Sequence, residues 1–220
     1  MKQKIFGVTV AKLTASFGQT IYMVGLSLFF GAILGILLVL VLCRKGGLKE
    51  NRIVYGIVST FVNIVRSVPF VILIVTIMPL TRAIMGTTIG STAALVPLIF
   101  YISPYMARLV ENSLLEVSDG IIEAARAMGA TTFQTVWNFL LPEALGSIVL
   151  ALTTGTIGLL GASAMAGYVG GGGIGDLALT YGYQKFNTPL MIFTVVILII
   201  VVQLLQALGN GLSRRLREHN

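Results

Sequence analysis

Four long runs pass without a charged residue, at Leu13–Cys43, Ala83–Ala107, Ala144–Gly175 and Phe186–Ser213. Each exceeds the roughly 20 residues that a helix needs to cross the hydrocarbon core. A fifth stretch, Ile53–Leu80, is long enough but contains Arg66, and its uninterrupted remainder is only about 15 residues. Counting it as a span avoids placing two long segments on impossible sides. The pattern predicts an all-α, polytopic transmembrane protein with five spans near 18–42, 54–80, 86–107, 144–168 and 188–212, in a single domain over about 14–215. Helices are required because the runs lack the alternation of a lipid-facing barrel, and backbone polar groups in lipid must be satisfied within the segment.

One polar insert, 119–141, breaks the pattern before the fourth span. Ile121, Ile122, Ala125, Met128, Phe133, Val136, Trp137 and Leu140 recur every three or four positions, with Glu123, Arg126, Gln134 and Asn138 mostly between them. The reading is a first short helix capped by Asp119, a break at Gly129, and a second helix opened by a Thr131–Gln134 capping box. Pro142 is expected to form a corner between this bracket and the next span. Periodicity alone equally allows a helix lying on the membrane surface.

Composition agrees with the spans: 56% of the residues are hydrophobic and 10% are charged. The net charge of +7 is explained by basic flanks of the spans, so nucleic acid is not an expected partner and anionic membrane lipid is. An odd number of spans puts the termini on opposite faces. Placing Arg214, Arg215, Arg217, Arg44, Lys45, Lys49, Arg52, Arg108 and Arg126 in the cytoplasm leaves Lys2, Lys4, Lys12, Arg82 and Lys185 outside. The N-terminus is then outside and the C-terminus cytoplasmic, although the three N-terminal lysines weigh the other way. The first apolar run is too long for a cleaved signal segment.

The lone Cys43 and lone His219 cannot build a disulfide or a metal site, so no metal is expected. No phosphate-binding Gly-x-x-x-x-Gly-Lys-Ser/Thr loop occurs, and ATP-driven transport would need an ATPase on another subunit. Gly170, Gly172 and Gly175 spell a dinucleotide fingerprint but follow a span, and they read instead as a tight turn. Gly31 and Gly35 predict close helix packing within the chain. The fourth span, rich in Thr153, Thr154, Gly155, Thr156, Gly158, Gly161 and Ser163, is the best candidate for lining a path. Arg108 reads as an anchor at a span end, Arg66 is open, and Asp176 reads as a solvated loop acid.

Glu123-Ala124-Ala125, Gly129 and Leu141-Pro142, at this spacing, resemble the EAA motif of ABC importer permeases, with Phe139 where the family commonly has an aliphatic residue. Further stretches, including Arg66–Phe70, Met78–Gly90, Ala107–Asn112, Leu141–Ala144, Ser163–Gly167 and Gly172–Gly175, narrow the resemblance to the methionine importer permeases, over roughly Thr20 to Arg215.

The resemblance implies the MetI-like type I permease fold with five spans, working as a homodimer with two cytoplasmic ATPase subunits in the bacterial cytoplasmic membrane. It implies an extracytoplasmic methionine-binding lipoprotein and no cofactor in this chain, with ATP and Mg on the ATPase. Glu123, Ala124, Ala125, Gly129, Leu141 and Pro142 would form the ATPase-coupling segment. Met165, with Ser163 and Ala162, would stand at the gate, Ala162 replacing a bulkier Tyr of some members. For Met165, plain helix packing remains the alternative. A permease for another amino acid or small osmolyte is the second reading of function. A secondary transporter would show repeat-related broken helices and a charged coupling site, and a channel would have no use for the bracket.

Overall fold

The computed structural model describes residues 4–42 and 52–218. The readings made above for Lys2, Cys43, Arg44, Lys45, Lys49 and His219 fall outside the described residues. Helix α1 spans Val10–Leu42, α2 Arg52–Ser67, α3 Phe70–Thr76, α4 Met78–Met85 and α5 Leu95–Leu115. The bracket holds α6, Asp119–Ala127, and α7, Thr132–Gln134, and α8 covers Leu141–Ala166. A short α9 at Gly173–Asp176 precedes the last helix, α10, Thr188–Glu218. The all-α reading is met, with one addition: a two-stranded antiparallel ribbon, β1 (Lys4–Ile5) and β2 (Val8–Thr9), pairs Lys4 with Thr9 and Ile5 with Val8.

Helix direction follows from what packs on what. Gly31 and Gly35 of α1 leave room for Ile102 and Met106 of α5, and the two helices run parallel. Without a Cβ at these positions the backbones approach closely, as the small-residue spacing predicted. Helix α8 runs antiparallel to α5, with Gly155 under Met106 and Gly158 near Tyr101. Helix α10 returns antiparallel to α8, its Gly209 against Thr153 and its Arg217 stem against Gly146. The buried Ser213 hydroxyl donates to the Gly146 carbonyl at 2.8 Å.

Three apolar clusters stack along the bundle. Val8, Leu13, Leu177 and Leu190 lie at one end, and Val39, Leu114, Val117, Ile122, Leu140 and Ala144 lie at the bracket end. Between them Met23, Phe70, Leu98, Ile102, Met106, Leu159 and Ala162 form the middle. Many large apolar side chains of α1 and α10 point outward, among them Ile21, Phe29, Ile199 and Leu208, as expected where the surrounding solvent is lipid.

Among the described residues, three helical segments are long and apolar enough to cross a membrane, namely Val10–Val39, Thr132–Gly171 and Thr188–Arg217. A fourth arises if α2 and α3 are taken together, and these meet at a bend of 108°. The segment expected to span over 54–80 is thus bent in the structure. Pro69 disfavours helical geometry at Val68, and Pro69 itself opens α3 with an extended ψ of 136°. The expected span at 86–107 begins later, at Leu95, because Gly86 and Gly90 hold left-handed backbone, with φ of 72° and 103°.

Helix α5 carries Arg108 and Glu111 yet is the most enclosed of the long helices, with Leu98, Ile102, Met106 and Ala107 buried. Neighbouring helices, not lipid, surround it, so it tolerates charges that a lipid-facing helix would not. The anchor reading of Arg108 is corrected here. Its guanidinium bonds Glu111 at 2.7 Å, the Ser59 hydroxyl at 2.9 Å and the Asn63 amide oxygen at 3.0 Å, tying α5 to α2. Removing one partner strands the other charge in a low-dielectric site, at about 3–5 kcal/mol. Glu111→Leu is thus expected to lower the thermal midpoint of the detergent-extracted protein markedly. Pairing it with Arg108→Leu should recover part of the loss.

Candidate functional site

The bracket is built from its caps. Ser118, not Asp119, caps α6: its hydroxyl accepts from the Gly120 N–H at 3.3 Å, and Asp119 sits inside the first turn. The carboxylate still meets the positive end of the helix dipole. Ile122 and Ala125 press into the chain while Glu123 and Ala124 face outward. The helix closes with Gly129 N–H on the Arg126 carbonyl at 2.9 Å and Ala130 N–H on the Ala125 carbonyl at 3.1 Å. Gly129 turns the chain with φ of 80°, as expected of a left-handed break.

The second arm opens with the expected capping box. Gln134 N–H reaches the Thr131 hydroxyl at 3.3 Å, and the Gln134 side chain accepts from Thr131 N–H at 2.9 Å. From there the helix does not turn at Pro142. A π-helical stretch, Thr135–Leu140, leads straight into α8, and Leu140 and Leu141 keep helical angles. Pro142 sits in the first turn of α8, directly after the π-helical stretch, and the chain stays helical through it, so the expected corner is absent and the bend lies at Gly129–Thr131. Leu141 and Pro142 are half-buried along this passage.

The bracket has two apolar faces, where periodicity suggested one. Ile122, Ala125 and Leu140 are buried within the chain, whereas Met128 (68% exposed), Phe133 (73%) and Trp137 (60%) are not. Phe133 and Trp137 stack nearly parallel, 6.2 Å between centroids. Large aromatic side chains presented together on a polar segment mark a contact surface. Hydrophobic spacing alone could not tell which apolar positions look outward.

At the far end of α8 the residues picked for the gate separate. Met165 is 47% exposed, while Ala162 joins the middle cluster and Ser163 is buried, its hydroxyl donating to the Leu160 carbonyl at 2.7 Å. The exposed stripe toward the outer end of α8 is Thr154, Gly161 and Met165, with Gly158 between them and Tyr168 just beyond the helix. Thr153, Thr154 and Thr156 turn their hydroxyls back onto their own helix, at 2.7–2.9 Å from Val149, Leu150 and Leu152 carbonyls. The stripe is therefore neutral and narrow, with few free donors.

The glycine run beyond it is a clamped turn between two helices, without the strand that a dinucleotide site requires. Gly170, Gly172 and Gly173 hold φ of 101°, 76° and 83°. Gln19 and Thr20 of α1, residues that no sequence motif marks, accept from the Gly173 and Ile174 N–H groups at 2.8 and 2.9 Å. The Ser91 hydroxyl donates to the Gly171 carbonyl at 2.8 Å. Asp176 is not a loop acid: it pairs with Lys12 at 3.7 Å, and Lys12 lies over the Tyr181 ring at 3.4 Å. Among the described residues no cluster of His, Cys, Asp or Glu could hold a metal ion.

Comparison with known proteins places these features in company. Residues 27–218 match the family described as binding-protein-dependent transport system inner membrane component. The probable D-methionine transport system permease of Vibrio cholerae is 48% identical over 205 residues, covering 92% of this chain and 91% of that protein. The methionine import system permease of Bacillus subtilis is 40% identical over 171 residues, covering 78% of this chain and 77% of that protein. A solved inward-facing conformation of the MetNI methionine ABC transporter superposes with a TM-score of 0.88 at 45% identity, covering 94% of this chain and 96% of that one. An amino acid ABC transporter solved with histidines, at 21% identity and a TM-score of 0.78, shares the fold.

Proposed function

Because the chain belongs to the family of binding-protein-dependent transport system inner membrane components, we propose that it is the permease subunit of an ABC importer for methionine. The observation that carries this is the outward apolar face of Met128, Phe133 and Trp137 on a capped bracket, in a chain whose close relatives are named as methionine permeases. The chain is a transporter component of the cytoplasmic membrane, crossing it five times with its N-terminus outside and its C-terminus in the cytoplasm. Two copies pair, and each receives a cytoplasmic ATPase subunit on its bracket. A methionine-binding lipoprotein delivers the amino acid from outside. ATP and Mg act on the ATPase subunits.

In this reading Glu123, Ala124, Gly129 and the exposed aromatics meet a groove of the ATPase, and buried Ala125 fixes α6 to the permease. When ATP draws the two ATPase subunits together, the bracket travels with them. The helical passage from Thr132 to Ala166 carries that motion without a corner, through Leu141 and Pro142, over about 50 Å at 1.5 Å per residue. Its exposed stripe, ending at Met165, lines the path between the copies, with buried Ala162 and Ser163 setting the angle of that face. A low, neutral wall suits a zwitterion with a thioether tail that must be released again.

Co-purification with its ATPase and ATP-dependent uptake of methionine in proteoliposomes supplied with the lipoprotein is the expected result. Uptake of a different amino acid only, with methionine excluded, would replace the substrate. Uptake without any ATPase would overturn the class.

A further inference from the structure

One cation is unaccounted for by coupling, anchoring or helix packing. Arg66 stands in the last turn of α2, exposed, one residue from Val65, which is buried in the middle cluster. Its guanidinium lies 5.7 Å from the ring centroid of Tyr105. Tyr105 stacks on Tyr101 at 6.0 Å, and the Tyr101 hydroxyl is the nearest group to the open side of Gly158. Since Ile102 and Met106 of the same helix pack on Gly155, Arg66 lies at the height of the centre of α8, far from either end of the bundle.

A permanently charged group at that depth cannot face hydrocarbon without heavy cost, and it is too deep to reach water along its own stem. Among the described residues no carboxylate pairs with it. Its exposed side must therefore open on a water-filled space or a second copy. The one such face supported by the fold is the stripe of Thr154, Gly158, Gly161 and Met165, which Tyr101 and Tyr105 join to Arg66.

We propose that Arg66 receives the α-carboxylate of the transported amino acid midway across the membrane, the second copy closing the other wall. The planar guanidinium matches a carboxylate with two parallel hydrogen bonds. Tyr105 fixes the fork from behind through its ring, and the Tyr101 hydroxyl supplies a further donor. The neutral wall toward Met165 takes the apolar tail, where a thioether is the natural contact for another. A single exposed charge holds the substrate weakly enough to let it leave. The site rests on the importer reading above, and its substrate class is any free α-amino acid that the path admits.

The test compares full permease–ATPase complexes carrying wild-type Arg66, Arg66→Gln or Arg66→Lys in proteoliposomes. Transported methionine, labelled, is set against methioninamide, which keeps the thioether and the amine but lacks the carboxylate. Binding is measured without the lipoprotein, so that its own specificity does not enter. Wild type should favour methionine over the amide by at least tenfold, Arg66→Gln should lose that preference, and Arg66→Lys should retain part of it. Co-elution of the ATPase subunits with each variant shows that the complexes compared are assembled. An unaltered preference in Arg66→Gln overturns the proposal, as does an equal loss for both ligands, which marks a structural role. Should wild type transport another amino acid in place of methionine, the substrate named above fails. The carboxylate assignment is then judged with that amino acid and its amide.

Discussion

Gly175→Ala is expected to leave little folded protein after detergent extraction, as read by recovery of a monodisperse peak in size-exclusion chromatography. A Cβ at Gly175 would fall on the carbonyl oxygen, Cα and carbonyl carbon of Ala164, all backbone. A flexible side chain could swing aside, but α8 cannot. Overpacking a well-filled interior costs typically about 1–3 kcal/mol, and a backbone-to-backbone clash lies at or beyond the top of that range. Gly161→Ala is the control, since nothing lies within 4 Å of its open side. That change should be neutral or slightly stabilising, alanine being the better helix former by about 1 kcal/mol. Wild-type recovery of Gly175→Ala would mean that the turn 167–175 packs differently from the structure described.

Trp137→Ala should uncouple uptake from the ATPase while leaving the permease intact. The indole is 60% exposed and stacked only on Phe133 within its own chain, so its loss removes little internal packing. Buried aromatic anchors at interfaces contribute about 2 kcal/mol or more on truncation. At 1.4 kcal/mol per factor of ten, this weakens ATPase retention by about 30-fold. Glu123→Lys should act in the same direction by reversing a charge on the same outward face. Gly129→Asp works through the backbone: no atom opposes the side chain, but φ of 80° strains a residue other than glycine by about 1–2 kcal/mol and re-aims the bracket. All three should insert normally and lose ATP-dependent uptake. Full uptake by any of them would remove that residue from the coupling surface.

Much of this architecture is written in local chemistry. The runs behind α1, α8 and α10 are long and uncharged, and their helices cannot be mistaken. The Thr131–Gln134 box and the break at Gly129 depend on neighbours three or four residues away, and both are found as expected. Prolines were harder, because their effect depends on what precedes them. Pro69 bends the chain at Val68, whereas the chain stays helical through Pro142 in the first turn of α8, and Pro104 sits inside α5.

Long-range partners were not legible at all. Nothing in the sequence joins Lys12 to Asp176, or Gln19 and Thr20 to the glycine turn, since only the folded bundle brings them together. The bracket was legible as a motif, but not its outward aromatic pair. Arg66 was visible as an anomaly, and its height became known only through the register of α5 against α8.

The absence of a corner at Pro142 has a mechanical consequence. In the proposed mechanism the helical passage from Thr132 to Ala166, held where Gly155 seats Met106, acts as a lever whose fulcrum lies nearer its outer end than its bracket. The long arm is the one on which the ATPase acts in the proposed coupling. Movement at the outer tip is then shorter than the stroke applied to the bracket, opposite in sense and larger in force. Were Met165 the gate, as proposed, such gearing would favour a small, firmly driven opening there, wide enough for one amino acid and quick to close behind it.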